Sequence, residues 1–137
     1  MISRVHLEKQ INQDEVLKFC ALVGDSNPLH CDADFTGHQG FRGTLVPGVF
    51  LNALVSGIMG TSFPGPGAML AKQEMKFPHP CYTGDTVVID IQFVRQVKEF
   101  LICSISCHSK SSGLCILEGK TYLFARHLLE KSLTGVD

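Results

Sequence analysis

The segment Leu45 to Met59 constrains this chain more than any other. It is apolar along almost its whole length, with Asn52 and Ser56 as its polar members. Its 15 residues fall short of the roughly 20 that a helix needs to cross a bilayer. A helix from about Pro47 to Gly60 is therefore predicted inside the protein. Pro47 is acceptable in its first turn, because the missing N–H would have had no intrahelical partner. A helix apolar nearly all round is expected to be enclosed, and the rest of the chain supplies the cover. Pro64-Gly65-Pro66-Gly67 breaks the chain, and the period changes from helical to alternating. Met69, Ala71, Gln73, Met75 and Phe77 alternate with Leu70, Lys72, Glu74 and Lys76, the mark of a half-buried strand. After a turn at Tyr82-Thr83-Gly84-Asp85, Val87, Ile89, Ile91 and Phe93 share one face of the next strand. Phe100 to His108 and Leu114 to Ala125 supply two more, joined around Ser111-Ser112-Gly113. The expected fold class is α+β, an antiparallel sheet wrapped around a central apolar helix. Residues 1–137 are read as one domain, enough for a real core and too few for two.

Upstream, Val5 to Ile11 reads as a first strand. Asn12 is a good N-cap, with Glu15 three residues later as a capping box needs. Val16, Phe19, Cys20 and Val23 follow at helical spacing, and Gly24 ends the helix. From Asp25 to Thr44 the periodicity is lost, so an ordered but irregular segment is expected.

Composition narrows the function classes. Hydrophobic residues at 45% and charged residues at 18% describe a globular protein. A net charge of −1 gives no footprint for nucleic acid or an anionic membrane, so neither is expected as a partner. The cysteines at 20, 31, 81, 103, 107 and 115 include no CxxC pair. Cys103 and Cys107 share a face of a predicted strand, as small hydrophobes would. Reduced, structural thiols and a reducing compartment are expected. His38, His79 and His108 have no ligand-like spacing, and no metal is predicted. Met1 to Gln10 carries no secretory signal. A mitochondrial presequence would lie upstream of it. The expected compartment is intracellular, with the mitochondrial matrix favoured over the cytoplasm. Residues 134–137 are not a peroxisomal address. No G-x-S-x-G elbow exists, and Pro64 to Gly67 lacks a Walker lysine.

The chemistry concentrates in Gly24-Asp25-Ser26-Asn27-Pro28-Leu29-His30. Pro28 fixes its own φ and pushes Asn27 out of the helical region. Such a rigid turn can bring Asp25 and His30 together. A carboxylate and an imidazole that converge can hold one water from two sides and pass protons to and from it. The structural alternative is a polar turn, with Asp25 as a cap and His30 as a satisfied core histidine.

The run G-D-S-N-P-L-H closely resembles the signature of MaoC-like (R)-specific enoyl-CoA hydratases and 3-hydroxyacyl-thioester dehydratases. The resemblance continues through F-R-G-T-L-V-P-G-V-F-L-N-A-L-V-S-G-I-M-G, P-G-P-G and F-P-H-P-C-Y-T-G-D, over roughly residues 12 to 125. It implies a single hotdog fold and a homodimer with active sites near the subunit interface. On the family pattern Asp25 and His30 match the catalytic pair, and Gly48 matches the glycine whose N–H receives the thioester oxygen. Ser56 matches a serine of the same pocket. Gly48, Asn52, Ser56 and Gly60, four apart, form a slowly drifting stripe of small and polar groups on the apolar helix. A free N–H in the first turn, with the helix dipole behind it, suits an enolate. Close helix–sheet packing is the alternative, favoured for Asn52 and Gly60. Many relatives carry histidine where this chain has Pro47, which can neither donate a backbone hydrogen bond nor replace an imidazole.

The resemblance implies reversible hydration of a trans-2-enoyl thioester to an (R)-3-hydroxyacyl thioester. Coenzyme A or acyl carrier protein is the substrate's handle, and no cofactor is implied. A hotdog thioesterase and a catalytically silent acyl-thioester-binding subunit are the rival readings.

Overall fold

The computed structural model describes residues 3–125. The first two residues and the address read at 134–137 lie outside the described residues. In chain order the elements are β1 (Arg4–Gln10), α1 (Gln13–Val23), α2 (Ala33–His38), α3 (Gly48–Thr61), β2 (Met69–Lys76), β3 (Thr86–Val97), β4 (Phe100–Ser109) and β5 (Cys115–Phe124). The strands pair antiparallel into one five-stranded sheet, ordered β1-β3-β4-β5-β2.

The expected alternation decides the inner face. Val87, Ile89 and Ile91 of β3 point inward with Cys103, Ile105 and Cys107 of β4 and Leu117 and Leu123 of β5. They join Phe50, Leu51, Val55 and Met59 of α3 and Val16 and Cys20 of α1 in one buried cluster. Val55 at its centre is fully buried, worth about 1.5–3 kcal/mol relative to an exposed side chain. Gly119 of β5 pairs with Met75 of β2 on one side and with buried Ile105 of β4 on the other. A Cβ there would sit on the Glu74 carbonyl oxygen and 2.6 Å from Met75 Sδ, so only glycine lets β2 fold so close across β5.

Asn12 caps α1, its Oδ1 accepting from the Glu15 N–H at 2.9 Å. The reciprocal half of the capping box is replaced, since the Glu15 carboxylate turns to Lys9 Nζ at 2.8 Å. Gly24 ends the helix at φ 74°, a left-handed conformation that favours glycine.

Four expectations need correction. α3 starts at Gly48, with Pro47 as its cap residue, and it is covered on one side only. Val49 is 61% exposed, and Ala53, Ser56, Gly57 and Gly60 lie on the same open side. Apolarity all round marks a helix that needs cover, but the sheet and α1 of one chain reach only one face. Strand β2 is mostly exposed rather than half-buried, because it is an edge strand with Met69 and Leu70 open. Val23, placed with the helical core stripe, is exposed at the end of α1. The segment expected to be irregular holds a 3₁₀ turn at Pro28–His30 and the helix α2. α2 is too short to show periodicity, but Asp32 caps it by accepting from the Asp34 and Phe35 N–H groups.

All six cysteines are free. Among the described residues no helix is long and apolar enough to cross a membrane.

Candidate active site

The turn after α1 is built by side chains bonding to the backbone just ahead of them. Asp25 Oδ1 accepts from the Asn27 N–H at 2.9 Å, and Asn27 Oδ1 accepts from the Leu29 N–H at 3.0 Å. Pro28 then opens the 3₁₀ turn, and the His30 N–H donates to the Asn27 carbonyl at 3.1 Å. With Oδ1 engaged, Asp25 turns its other oxygen toward the imidazole, and His30 Nε2 lies 3.6 Å from Asp25 Oδ2.

That distance is too long for a direct hydrogen bond. The other ring nitrogen explains the gap. His30 Nδ1 is 2.8 Å from the Leu45 carbonyl oxygen, which can only accept, so Nδ1 carries the proton. In the neutral ring, Nε2 then presents a lone pair. Two acceptors thus converge on one point, and the group that satisfies both is a donor with two protons, such as water. The His30 side chain retains 12% exposure and that of Asp25 31%, so the pair is sheltered yet reachable.

The Leu45 carbonyl also ties the pair to α3. Leu45 is three residues before Gly48, so the chain holds their Cα atoms within about 10 Å. The segment is anchored through the Val46 N–H to the Cys81 carbonyl at 2.8 Å and the Leu45–Tyr82 bridge. No side chain among the described residues caps α3. Among the described residues the Gly48 N–H has no hydrogen-bond acceptor, so it is open to one from outside. The Phe77 ring lies against the Gly48 Cα, and an added Cβ would meet ring atoms at 2.8, 2.9 and 3.2 Å. Gly48, Leu51, Phe77, His79 and Ile116 border a small cavity of about 160 Å³.

Ser56 stands elsewhere. Eight residues beyond Gly48, it lies about 12 Å further along the helix axis. It is exposed, with no side-chain hydrogen bond among the described residues. Within this chain Asp25 and His30 meet, Gly48 is chained to them through Leu45, and Ser56 makes no side-chain hydrogen bond to any of them among the described residues. Asn52, expected to serve packing, has a polar partner. Its amide and that of Gln73 on β2 exchange hydrogen bonds of 2.6 and 2.9 Å. The Leu45 carbonyl and Gln73 are what sequence reasoning missed. A backbone acceptor leaves no mark in side-chain types, whereas Gln73 on the inward phase of an alternating strand was a readable signal.

Burial pushes the Cys81 and Cys107 thiols up to about 12 and the Cys103 thiol up to about 11. At neutral pH they are neutral thiols, poor as nucleophiles or metal ligands. Among the described residues no group of three or more His, Cys, Asp or Glu is placed to hold a metal ion.

Comparison with known proteins gives the chain's relatives. A (R)-specific enoyl-CoA hydratase of Aeromonas caviae is 35% identical over 110 residues, covering 80% of this chain and 82% of that protein. A mitochondrial 3-hydroxyacyl-[acyl-carrier-protein] dehydratase of Solanum lycopersicum is 36% identical over 110 residues, covering 78% of this chain and 66% of that protein. The solved (R)-hydratase from A. caviae, involved in PHA biosynthesis, superposes with a TM-score of 0.82 at 28% identity, covering 90% of this chain and 96% of that one. The curled sheet with α3 against its inner face is therefore the hotdog fold. The family model described as MaoC like domain matches residues 3–104. The chain belongs to the MaoC-like domain family.

Proposed function

We propose that this chain is a hydro-lyase that interconverts a trans-2-enoyl thioester and an (R)-3-hydroxyacyl thioester, with Asp25 and His30 acting on one water. The observation that carries this reading is the 3.6 Å gap between two acceptors, His30 Nε2 and Asp25 Oδ2, beside a helix whose first N–H is open. Water seated beside the pair, within hydrogen-bond reach of both acceptors, donates one proton to each and aims a lone pair at the substrate β-carbon. The thioester oxygen accepts from the Gly48 N–H, which draws charge from the β-carbon and stabilises the enolate-like transition state. Water attacks the β-carbon as the pair removes its proton, and a proton returns to the α-carbon. Coenzyme A or acyl carrier protein carries the acyl group, and relatives named for each are similar to this chain. Ser56 lines the acyl pocket once a second subunit covers the open side of α3.

That second subunit is a copy of this chain in our reading. The free edge of β2, with Met69 and Leu70 exposed, and the open Val49 side of α3 supply unpaired strand edge and apolar surface together. The mitochondrial matrix is the proposed compartment, supported by the mitochondrial relatives of plants. The test is purified protein on crotonyl-CoA with chiral analysis of the product. Hydration to the R alcohol is expected; an S product, or release of free thiol without hydration, would overturn the reading. Sedimentation should give a dimer, and an active 15 kDa monomer would contradict it.

A further inference from the structure

His30 is gripped from two directions by one closed circuit of bonds. Gln13, the first residue of α1, donates from Nε2 to the His30 carbonyl at 2.7 Å. The same amide accepts through Oε1 from Thr44 Oγ1, also at 2.7 Å. Thr44 is followed by Leu45, whose carbonyl accepts from His30 Nδ1 at 2.8 Å, while the Leu45 N–H donates to the Leu29 carbonyl at 2.8 Å. The circuit therefore runs from the His30 backbone through the Gln13 amide and Thr44 to Leu45, and back to the His30 ring. Thr44 is fixed in turn by Thr83, whose N–H donates to the Thr44 carbonyl at 3.0 Å, with the two hydroxyls in contact.

We infer that Gln13 and Thr44 are positioning residues for the proposed hydration. They do not touch the point where Nε2 and Oδ2 converge. They act by fixing the turn that carries His30 relative to the carbonyl that orients its ring. An amide is required at residue 13, because one end donates to a carbonyl and the other accepts from a hydroxyl. A carboxylate there would face the His30 carbonyl with a second acceptor, and an apolar chain would leave both partners unpaired. A displacement of the reacting group by about 1 Å can cost on the order of 100-fold in rate, so a grip at this distance from the chemistry has a large effect.

The inference rests on the proposed hydration, and its test has one arm that needs no turnover. Gln13→Met, Gln13→Glu, Thr44→Val and Thr44→Ser would be assayed on crotonyl-CoA, each with its thermal midpoint. The first three should lower kcat by about 10-fold or more while KM stays within about 3-fold, as expected when geometry rather than substrate binding is lost. Thr44→Ser keeps the hydroxyl and should restore kcat. Gln13→Met combined with Thr44→Val should be little worse than the worse single change, because both open the same circuit. In the second arm, nitrogen NMR of histidine-labelled protein reads His30 Nδ1–H. Its proton should exchange slowly in the wild type and in Thr44→Ser, and rapidly in the other three. Unchanged kcat per folded molecule, a rise in KM alone, or an unaltered Nδ1–H would overturn the inference. An inactive wild type with a protected Nδ1–H would instead sink the hydration reading and leave the grip standing.

Discussion

His30 Nε2 faces Asp25 Oδ2 across 3.6 Å while its other ring nitrogen is held by the Leu45 carbonyl at 2.8 Å. The second contact gives the first its meaning. A ring free to turn or to change tautomer could bond the carboxylate directly; a ring pinned at Nδ1 leaves a lone pair opposite another acceptor.

The proposed donor role of Gly48 and its close approach to Phe77 can be separated by substitution. Any Cβ at this position collides with the Phe77 ring, so a lost activity in Gly48→Pro alone would be ambiguous. In a Phe77→Leu background the ring is gone. There, Gly48→Ala keeps the N–H and should retain turnover within a few-fold of Phe77→Leu. Gly48→Pro removes the donor and should lose about 100- to 1,000-fold in kcat. Equal activity of the two double variants, both folded, would remove Gly48 from the site.

The Asn52–Gln73 amide pair spans α3 and β2 with both hydrogen bonds made. Asn52→Ala strands the Gln73 amide and should cost about 1–3 kcal/mol in urea unfolding. Asn52→Leu with Gln73→Met replaces both partners by apolar groups and should recover most of that loss. A double change at least as destabilised as the single would show that the two hydrogen bonds themselves, not a stranded partner, account for the loss.

Gly119 should tolerate nothing larger. Its added Cβ would fall on a backbone carbonyl, and strand β2 would have to move off β5. Gly119→Ala is expected to destabilise by about 2 kcal/mol or more, within the upper range for single changes. A chemical-denaturation midpoint equal to wild type would contradict the close approach of these strands.

Alkaline pH should weaken the fold through its buried thiols. Burial raises Cys81 and Cys107 to about 12 and Cys103 to about 11, above the ordinary thiol of an unfolded chain at about 8.5. Above about pH 8.5 the unfolded chain releases protons that the native chain still binds. The contribution of these groups is thus complete below that pH and is lost as pH rises toward the native values. Under reducing conditions the thermal midpoint should fall between about pH 8.5 and 10.5, and Cys103→Ala with Cys107→Ala should flatten that slope. An unchanged slope in the double variant would assign the alkaline loss to other groups.

Periodicity made the sheet legible in the sequence. The alternation from Val87 to Phe93 and the apolar run to Met59 each name an element and its buried face, because a fixed period converts residue type into direction. The turn that brings Asp25 and His30 together was legible through Pro28 and the spacing of the two residues. What stayed hidden depends on partners distant along the chain. The tautomer of His30 is set by a backbone carbonyl at Leu45, and its grip by Gln13, a residue that reads as an ordinary helix former. The one-sided cover of α3 was hidden for a different reason. Hydrophobicity at Val49 and Ala53 shows that a face needs covering and leaves open whether the same chain covers it.

In the proposed hydration Asp25 and His30 work as one unit on one water. The most direct test is the crotonyl-CoA hydration rate per folded molecule of Asp25→Asn, His30→Gln and the double variant, with thermal midpoints alongside. Each single change nearly preserves shape and should lower kcat by at least about 100-fold, the low end for general acid–base catalysis. The double variant should be little worse than the worse single one, because residues acting as a unit are non-additive. Normal specific activity in folded Asp25→Asn, with only its midpoint lowered, would make Asp25 a cap and contradict the account.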